Sequence, residues 1–283
     1  MEGIRKRRLW CALAASFLGL AGGVQAQIFM GMPDLKQQGF GPALPGDGFA
    51  YCGPTAAANV LLWIKDHRMA EVYDRNQQPA RVRDRVRTFE LKDAVRLVRQ
   101  LGRYMDTDSK EGTPPKRLVH GLAGYFKDHG LEDCQVRYQG ARPVSGKYRA
   151  LNGPPRIDEL RRSVGQGTFA LLNLGWYVRQ GQDWIRVGGH WVTFTGWQQA
   201  DGQTRLLVHD PSSRPYWKPS KLGLRLQAVP ARKLIDPKDG WALDASGYWR
   251  LLGPIERAPG SDYAVLEGVV YIEPGGQRTV ARR

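Results

Sequence analysis

Tyr51-Cys52-Gly53-Pro54-Thr55-Ala56-Ala57-Ala58-Asn59-Val60-Leu61-Leu62-Trp63-Ile64 decides how this chain folds. Ala57, Val60, Leu61 and Ile64 recur at helical spacing, which predicts a helix from Cys52 to about Arg68. Pro54 suits the first turn of that helix, where its missing N–H costs nothing. Cys52 therefore stands at a helix N-terminus, ahead of the apolar face. Unpaired N–H groups and the positive end of the helix dipole favour a thiolate there. The same N–H groups point at any negative charge that grows on a carbonyl oxygen beside the sulfur.

Upstream, residues 27–51 are rich in Gly and Pro and read as an extended lead-in. Further back, Arg5, Lys6, Arg7 and Arg8 precede an uncharged apolar run from Leu9 to Val24, and Val24-Gln25-Ala26 supplies small residues for processing. That is the pattern of a secretory signal peptide over residues 1–26, cleaved about after Ala26. The run is about 16 residues, short of the roughly 20 a spanning helix needs. Arg7-Arg8 permits a twin-arginine route, although the flanking residues fit it poorly. The expected mature protein is exported, periplasmic or secreted, with no integral membrane segment. Residues 27–283 then form one domain, long enough to bury a full core.

The formal net charge of +15 favours acidic partners, an anionic envelope polymer among them. The basic residues are scattered (Arg81, Arg83, Arg85, Arg87; Arg161, Arg162; Lys218, Lys221), so they read as general surface character and not as a specific nucleic-acid site.

Downstream, helical periodicity returns from Phe89 to Tyr104, and again after Gly112-Thr113-Pro114-Pro115 as far as Gly130, with a short helix between Ile157 and Val164. The second half reads as strands: Cys134–Tyr138, Phe169–Leu174, His190–Trp197, Leu206–Asp210, Tyr248–Leu252 and Val265–Ile272. Asp201-Gly202 is a hairpin turn between two of them. Helices first and antiparallel strands second make an α+β fold.

A thiol nucleophile needs a base from elsewhere in the chain. His67 and His129 lie at polar helix ends, and His120 falls within a helix. His190, in Gly188-Gly189-His190-Trp191, stands at the start of a strand after two glycines that allow close backbone approach. Around the Asp201-Gly202 turn, Asp210 lies beside it and can orient the imidazole. His209 and Asp210 alternate on a strand, so only one of them faces the cleft. In the export compartment, Cys52 and Cys134 also admit a disulfide, a reading that the placement of Cys52 beside His and Asp partners weakens. No His, Cys or Asp cluster has metal-ligand spacing, so neither metal nor cofactor is expected.

Tyr51-Cys52-Gly53-Pro54-Thr55, Gly189-His190-Trp191-Val192 and His209-Asp210-Pro211 together resemble the C39-like branch of papain-like cysteine peptidases. The resemblance spans about residues 50–215 and includes Gly112-Thr113 and Gly121–Tyr125. It implies a papain-like fold, N-terminal helices packed on a C-terminal antiparallel sheet, with Cys52 as nucleophile, His190 as base and Asp210 as the orienting acid. Residues 216–283 are then an extension atypical of the family: a lid, an extra sheet or a partner surface. The family places a glutamine about half a dozen residues before the cysteine for the oxyanion hole. Pro45-Gly46-Asp47-Gly48 stands there instead, and Gln37 and Gln38 are the nearest candidates, with Gln38 taken for the role.

The expected activity is hydrolysis of a peptide or related amide in a peptide or protein substrate, through a thioester. Two alternatives stay open. One is a catalytically weak or inactive peptide- or glycan-binding module that uses exposed Trp176, Trp184 and Trp217 as stacking surface. The other is a cell-wall amidase or acyl transferase with the same catalytic groups.

Overall fold

Helix α1 (Cys52–Tyr73) begins at the expected residue and continues past Arg68. Every side chain from Cys52 to Leu62 is buried, so the apolar face expected from spacing is too narrow. A helix apolar all round belongs inside a core, and small Ala56, Ala57 and Ala58 let neighbours approach on every side. The computed structural model describes residues 25–29, 31–39, 43–73, 91–165, 167–200, 202–212 and 221–274. Apart from Gln25 and Ala26, the expected signal peptide lies outside them, as do Arg81–Arg87, Trp217 and Lys218.

Helices α2 (Leu91–Tyr104) and α3 (Pro115–Asp128) flank α1. Val98, Leu101, Leu118, Leu122 and Phe126 meet Val60 and Ile64 in one apolar cluster. Pro115 opens α3, where a missing N–H is harmless. Helix α4 (Ile157–Gly165) carries Asp158 and Glu159 in its first turn, the favourable end for acids.

The strands are β1 (Gln25–Ile28), β2 (Gln135–Gly140), β3 (Arg149–Asn152), β4 (Phe169–Gln180), β5 (Asp183–Ala200), β6 (Gln203–His209), β7 (Lys221–Ala228), β8 (Lys233–Asp236), β9 (Trp241–Asp244), β10 (Trp249–Leu252) and β11 (Tyr263–Glu273). The architecture is therefore mixed α+β, with helices toward the N-terminus and a large sheet toward the C-terminus. The sheet is not purely antiparallel: β2–β3 and β5–β8 are parallel pairs. Nor is it open. β4 pairs β5, β5 pairs β6, β6 pairs β7, β7 pairs β10, β10 pairs β11, and β11 returns to β4. These strands close a barrel, and closure removes the edges that would otherwise be left unpaired.

Alternation sorts the barrel side chains into two cores. Leu172, Leu174, Val192, Phe194, Val208, Leu224, Leu251 and Leu266 fill one cluster together with Leu160 and Val164 of α4. Their alternate neighbours Leu171, Trp191 and Val270 join the helices in the other. Burial on both faces explains why Phe169–Leu174 reads as an unbroken apolar run. Residues 221–274 supply β7, β10 and β11 to the ring, so they are part of the sheet itself.

Outside the barrel, next to the start of β5, sits a buried charge cluster. Glu267 Oε1 accepts from Tyr177 Oη and from Arg186 Nε, each at 2.7 Å. Arg186 Nη1 is also 3.5 Å from Asp236, which Arg142 reaches from a loop after β2. The cross-strand partners Gly175 and Gly189 make the room. A Cβ on Gly175 would stand 2.1 Å from Glu267 Oε1, and one on Gly189 would stand 2.3 Å from Arg186 Nη2. Gly189, immediately before His190, thus admits a guanidinium. Trp176 and Trp184 are 5% and 3% exposed, which corrects their reading as exposed stacking surface. Trp184 stacks on Tyr263, and Trp176 on His190.

Candidate active site

Cys52 is the first residue of α1 and 8% exposed. Three contacts hold that helix start. Gly53 lies against Thr113, where an added Cβ would meet the Thr113 side chain at 3.1 Å. Trp191 Nε1 donates to the Thr113 carbonyl at 2.8 Å, which ties the same loop to β5. Asn59, about two turns on from Cys52, donates to Thr193 Oγ1, and Thr193 Oγ1 donates to the Ala56 carbonyl. Helix α1 and the strand bearing His190 are therefore fixed to each other by hydrogen bonds as well as by packing.

His190 lies inside β5, which begins at Asp183 and so corrects the expected strand start, and by alternation it shares the face of Val192 and Phe194 at one mouth of the barrel. Asp210 directly follows β6, whose last residue His209 pairs with Thr193. His190 Nε2 lies 2.7 Å from Asp210 Oδ1. The expected split between His209 and Asp210 is observed, since His209 Nδ1 bonds instead to the Pro33 carbonyl at 2.9 Å. His120 packs on Tyr148, and His129 stacks on Tyr125, so both serve the helical surface.

Burial by itself would lower the His190 pKa, but the Asp210 carboxylate and a hydrogen bond with Cys52 outweigh it and raise the value to about 10. Burial would likewise raise the Asp210 pKa; the His190 charge and bonds from Ser212 prevail and hold it below the usual carboxylate range. The Asp210 carboxylate therefore favours the protonated imidazole, the form left after a thiol proton has been accepted.

This coupling predicts a pH dependence of stability. The His190 pKa is raised from 6.5 to about 10 on folding, so its contribution is complete below about pH 6.5 and is lost as pH rises toward 10. Urea unfolding of the parent and of Asp210→Asn should show the largest stability gap near pH 6 and a shrinking gap up to pH 10. A gap constant across that range would contradict the raised value.

Sequence reasoning missed several groups around Asp210. Ser212 Oγ donates to Asp210 Oδ1 at 2.8 Å, and the Ser212 N–H donates to the same oxygen at 2.9 Å. An acidic residue with Ser two positions on is a turn signature, and it stands in Asp210-Pro211-Ser212. Lys36, 4% exposed, donates to the Asp210 carbonyl at 3.1 Å and pairs with Asp34 at 2.8 Å. Nothing in the local pattern of Lys36 foretells that placement. Gln37 donates its backbone N–H to the Pro211 carbonyl at 3.0 Å and its side-chain amide to the Phe49 carbonyl. A Cβ on Gly48 would overlap the Gln37 carbonyl oxygen at 1.7 Å, so the glycine-rich loop closes directly over this residue. Gln38, the oxyanion candidate, is half-buried beside it.

No disulfide joins Cys52 to Cys134, which begins the approach to β2. Among the described residues no group of three or more His, Cys, Asp or Glu side chains is placed to hold a metal ion, and no helix is long and apolar enough to cross a membrane. A cavity of about 790 Å³ beside α4 and a smaller one beside Trp184 are lined by other residues than Cys52 and His190. Comparison with protein-family models and with curated proteins returns no match, so the chemistry has to be read from Cys52, His190 and Asp210 themselves.

Proposed function

We propose that this protein is a cysteine hydrolase of papain-like, C39-like type that cleaves a peptide or related amide. The observation that carries the reading is the 2.7 Å contact between His190 and Asp210, with Cys52 at a helix start and near enough to help raise the pKa of the same imidazole. His190 accepts the thiol proton and Cys52 Sγ attacks the carbonyl carbon. The oxyanion meets the N–H groups at the start of α1. His190 then protonates the departing amine, leaving a thioester that water hydrolyses. Asp210 keeps the imidazole in one orientation throughout, and Ser212 keeps Asp210 ionised. Gln38 or its neighbour Gln37 is the candidate second oxyanion donor. Gln37 is held against the loop that leads to Cys52.

The burial of Trp176 and Trp184 removes those two rings as stacking surface for a binding module, and Trp217 lies outside the described residues. A cell-wall amidase or acyl transferase would use the same three residues, and incubation with purified peptidoglycan against a protein substrate separates it. The test of the site is labelling of the native protein with iodoacetamide at pH 7. Cys52 should label quickly, and His190→Ala should slow it by at least about tenfold, the effect of losing the partner that favours the thiolate. Equal labelling in both would remove His190 from the reading.

A further inference from the structure

At the far mouth of the barrel lies the cavity of about 790 Å³, lined by Pro154, Arg156, Arg161, Arg225, Leu226 and Trp249 among others. Along β6 it touches Gln203 and Thr204, whereas Asp210 follows the other end of that strand. At about 3.3 Å per residue the groove is some 20 Å from the Cys52 chemistry, so it is no part of the cleavage site.

Its charge is one-sided. The lining holds these three guanidiniums and a single carboxylate, Asp158. Among the described residues none of the three is in an ion pair with an acid; Arg161 bonds Thr204 Oγ1 and lies over the Trp197 ring. Beneath the groove Arg225 sits directly across from Arg205 in the β6–β7 ladder. Like charges in that position repel. Arg205 Nε is moreover buried without an acceptor. An arrangement that disfavours the empty protein in this way becomes favourable once an anion lies across it. The groove also presents apolar surface from Pro154, Leu226 and Trp249 between the guanidiniums. A chain that offers carboxylates and apolar side chains together is a polypeptide; a polyanionic glycan lacks the second component.

We propose that this groove docks an acidic, partly apolar polypeptide segment, which the barrel holds at the mouth opposite the cleavage site. Arg156 and Arg225 grip its carboxylates, and Trp249 with Leu226 covers its apolar side chains. The proposal does not depend on Cys52 being a nucleophile.

Fluorescence anisotropy on the full mature chain tests it, with a fluorescein-labelled nonapeptide of three Glu-Glu-Leu repeats as probe. Binding that weakens with added salt is expected, as for charge pairing at an exposed groove. R156Q/R225Q should weaken it by at least about tenfold, each single substitution by less. R179Q/R232Q, placed beside the smaller cavity, should leave it unchanged. Equal affinity of R156Q/R225Q and the parent would overturn the proposal, as would equal binding of a Gln-Gln-Leu repeat peptide. Polygalacturonate bound in the groove more tightly than the acidic peptide would overturn the polypeptide assignment. Cys52→Ala should bind the probe like the parent, so a failed hydrolase reading leaves this result intact.

Discussion

Cys52→Ala should lower hydrolysis of whichever substrate the protein accepts, a protein or peptidoglycan, by at least about a thousandfold, with the melting temperature nearly unchanged. The magnitude follows from position. In the proposed mechanism the sulfur of residue 52 is both the attacking atom and the group that the α1 start and His190 would activate. Alanine keeps the helix start and the oxyanion N–H groups, but no bond to the acyl carbon can form. His190→Ala should cost a similar factor. The double variant should be no worse than either single one, because nucleophile and base act as a unit. Folding should hardly notice the first change, since one small sulfur is exchanged for hydrogen at a site 8% exposed. Activity rates on the purified variants, with circular dichroism to confirm folding, check this. Full activity in Cys52→Ala would sink the hydrolase reading.

Glu267→Ala should be the most damaging single change to stability. Glu267 is 2% exposed and is the nearest acid to the buried Arg186 guanidinium. Its removal leaves Arg186 with only the 3.5 Å contact to Asp236 and takes away the acceptor of Tyr177 Oη. Breaking one side of a buried pair costs about 3–5 kcal/mol, which for a domain of this length lowers the melting temperature by roughly 10 °C. Glu273→Ala, which removes the partly exposed partner of Arg137, is the natural comparison. An exposed pair is worth about 0–1 kcal/mol. Thermal unfolding of both variants measures the contrast; equal losses would mean that the cluster at Glu267 is solvated.

The Gly175–Gly189 pair links the two predictions. Gly189 immediately precedes His190, and its missing side chain is the space that the Arg186 guanidinium occupies. In the sequence Gly188 and Gly189 read as permission for close backbone approach near a cleft. Which group approaches was not legible there, because Arg186 lies on the same strand while Glu267 comes from β11, far along the chain.

Local patterns carried much of the rest. The Cys52 helix start, the α2 and α3 periodicities and the hairpin between Ala200 and Gln203 each depend on neighbours within a few residues, and each is found where spacing puts it. Strands β7, β8 and β9 went unread. Lys221–Ala228 does carry Leu222, Leu224 and Leu226 at the strand period, a signal that was passed over, whereas Lys233–Asp236 and Trp241–Asp244 are too short for periodicity to register. Trp184 and Trp176 were misjudged because burial of a large ring depends on what stacks against it, Tyr263 and His190 respectively.

From its sequence alone this protein has a helix beginning at Cys52 and an acid placed across a hairpin from a strand histidine, because each needs only short-range spacing and turn chemistry; that His190 lies inside β5 and not at its start was not legible. Only the tertiary structure closes the sheet into a barrel through β11, seals Gln37 under Gly48, and sets Lys36 and Ser212 around Asp210. Those placements join segments up to 174 residues apart. They are decided by packing and by the need to pair buried polar groups, and no local pattern records either.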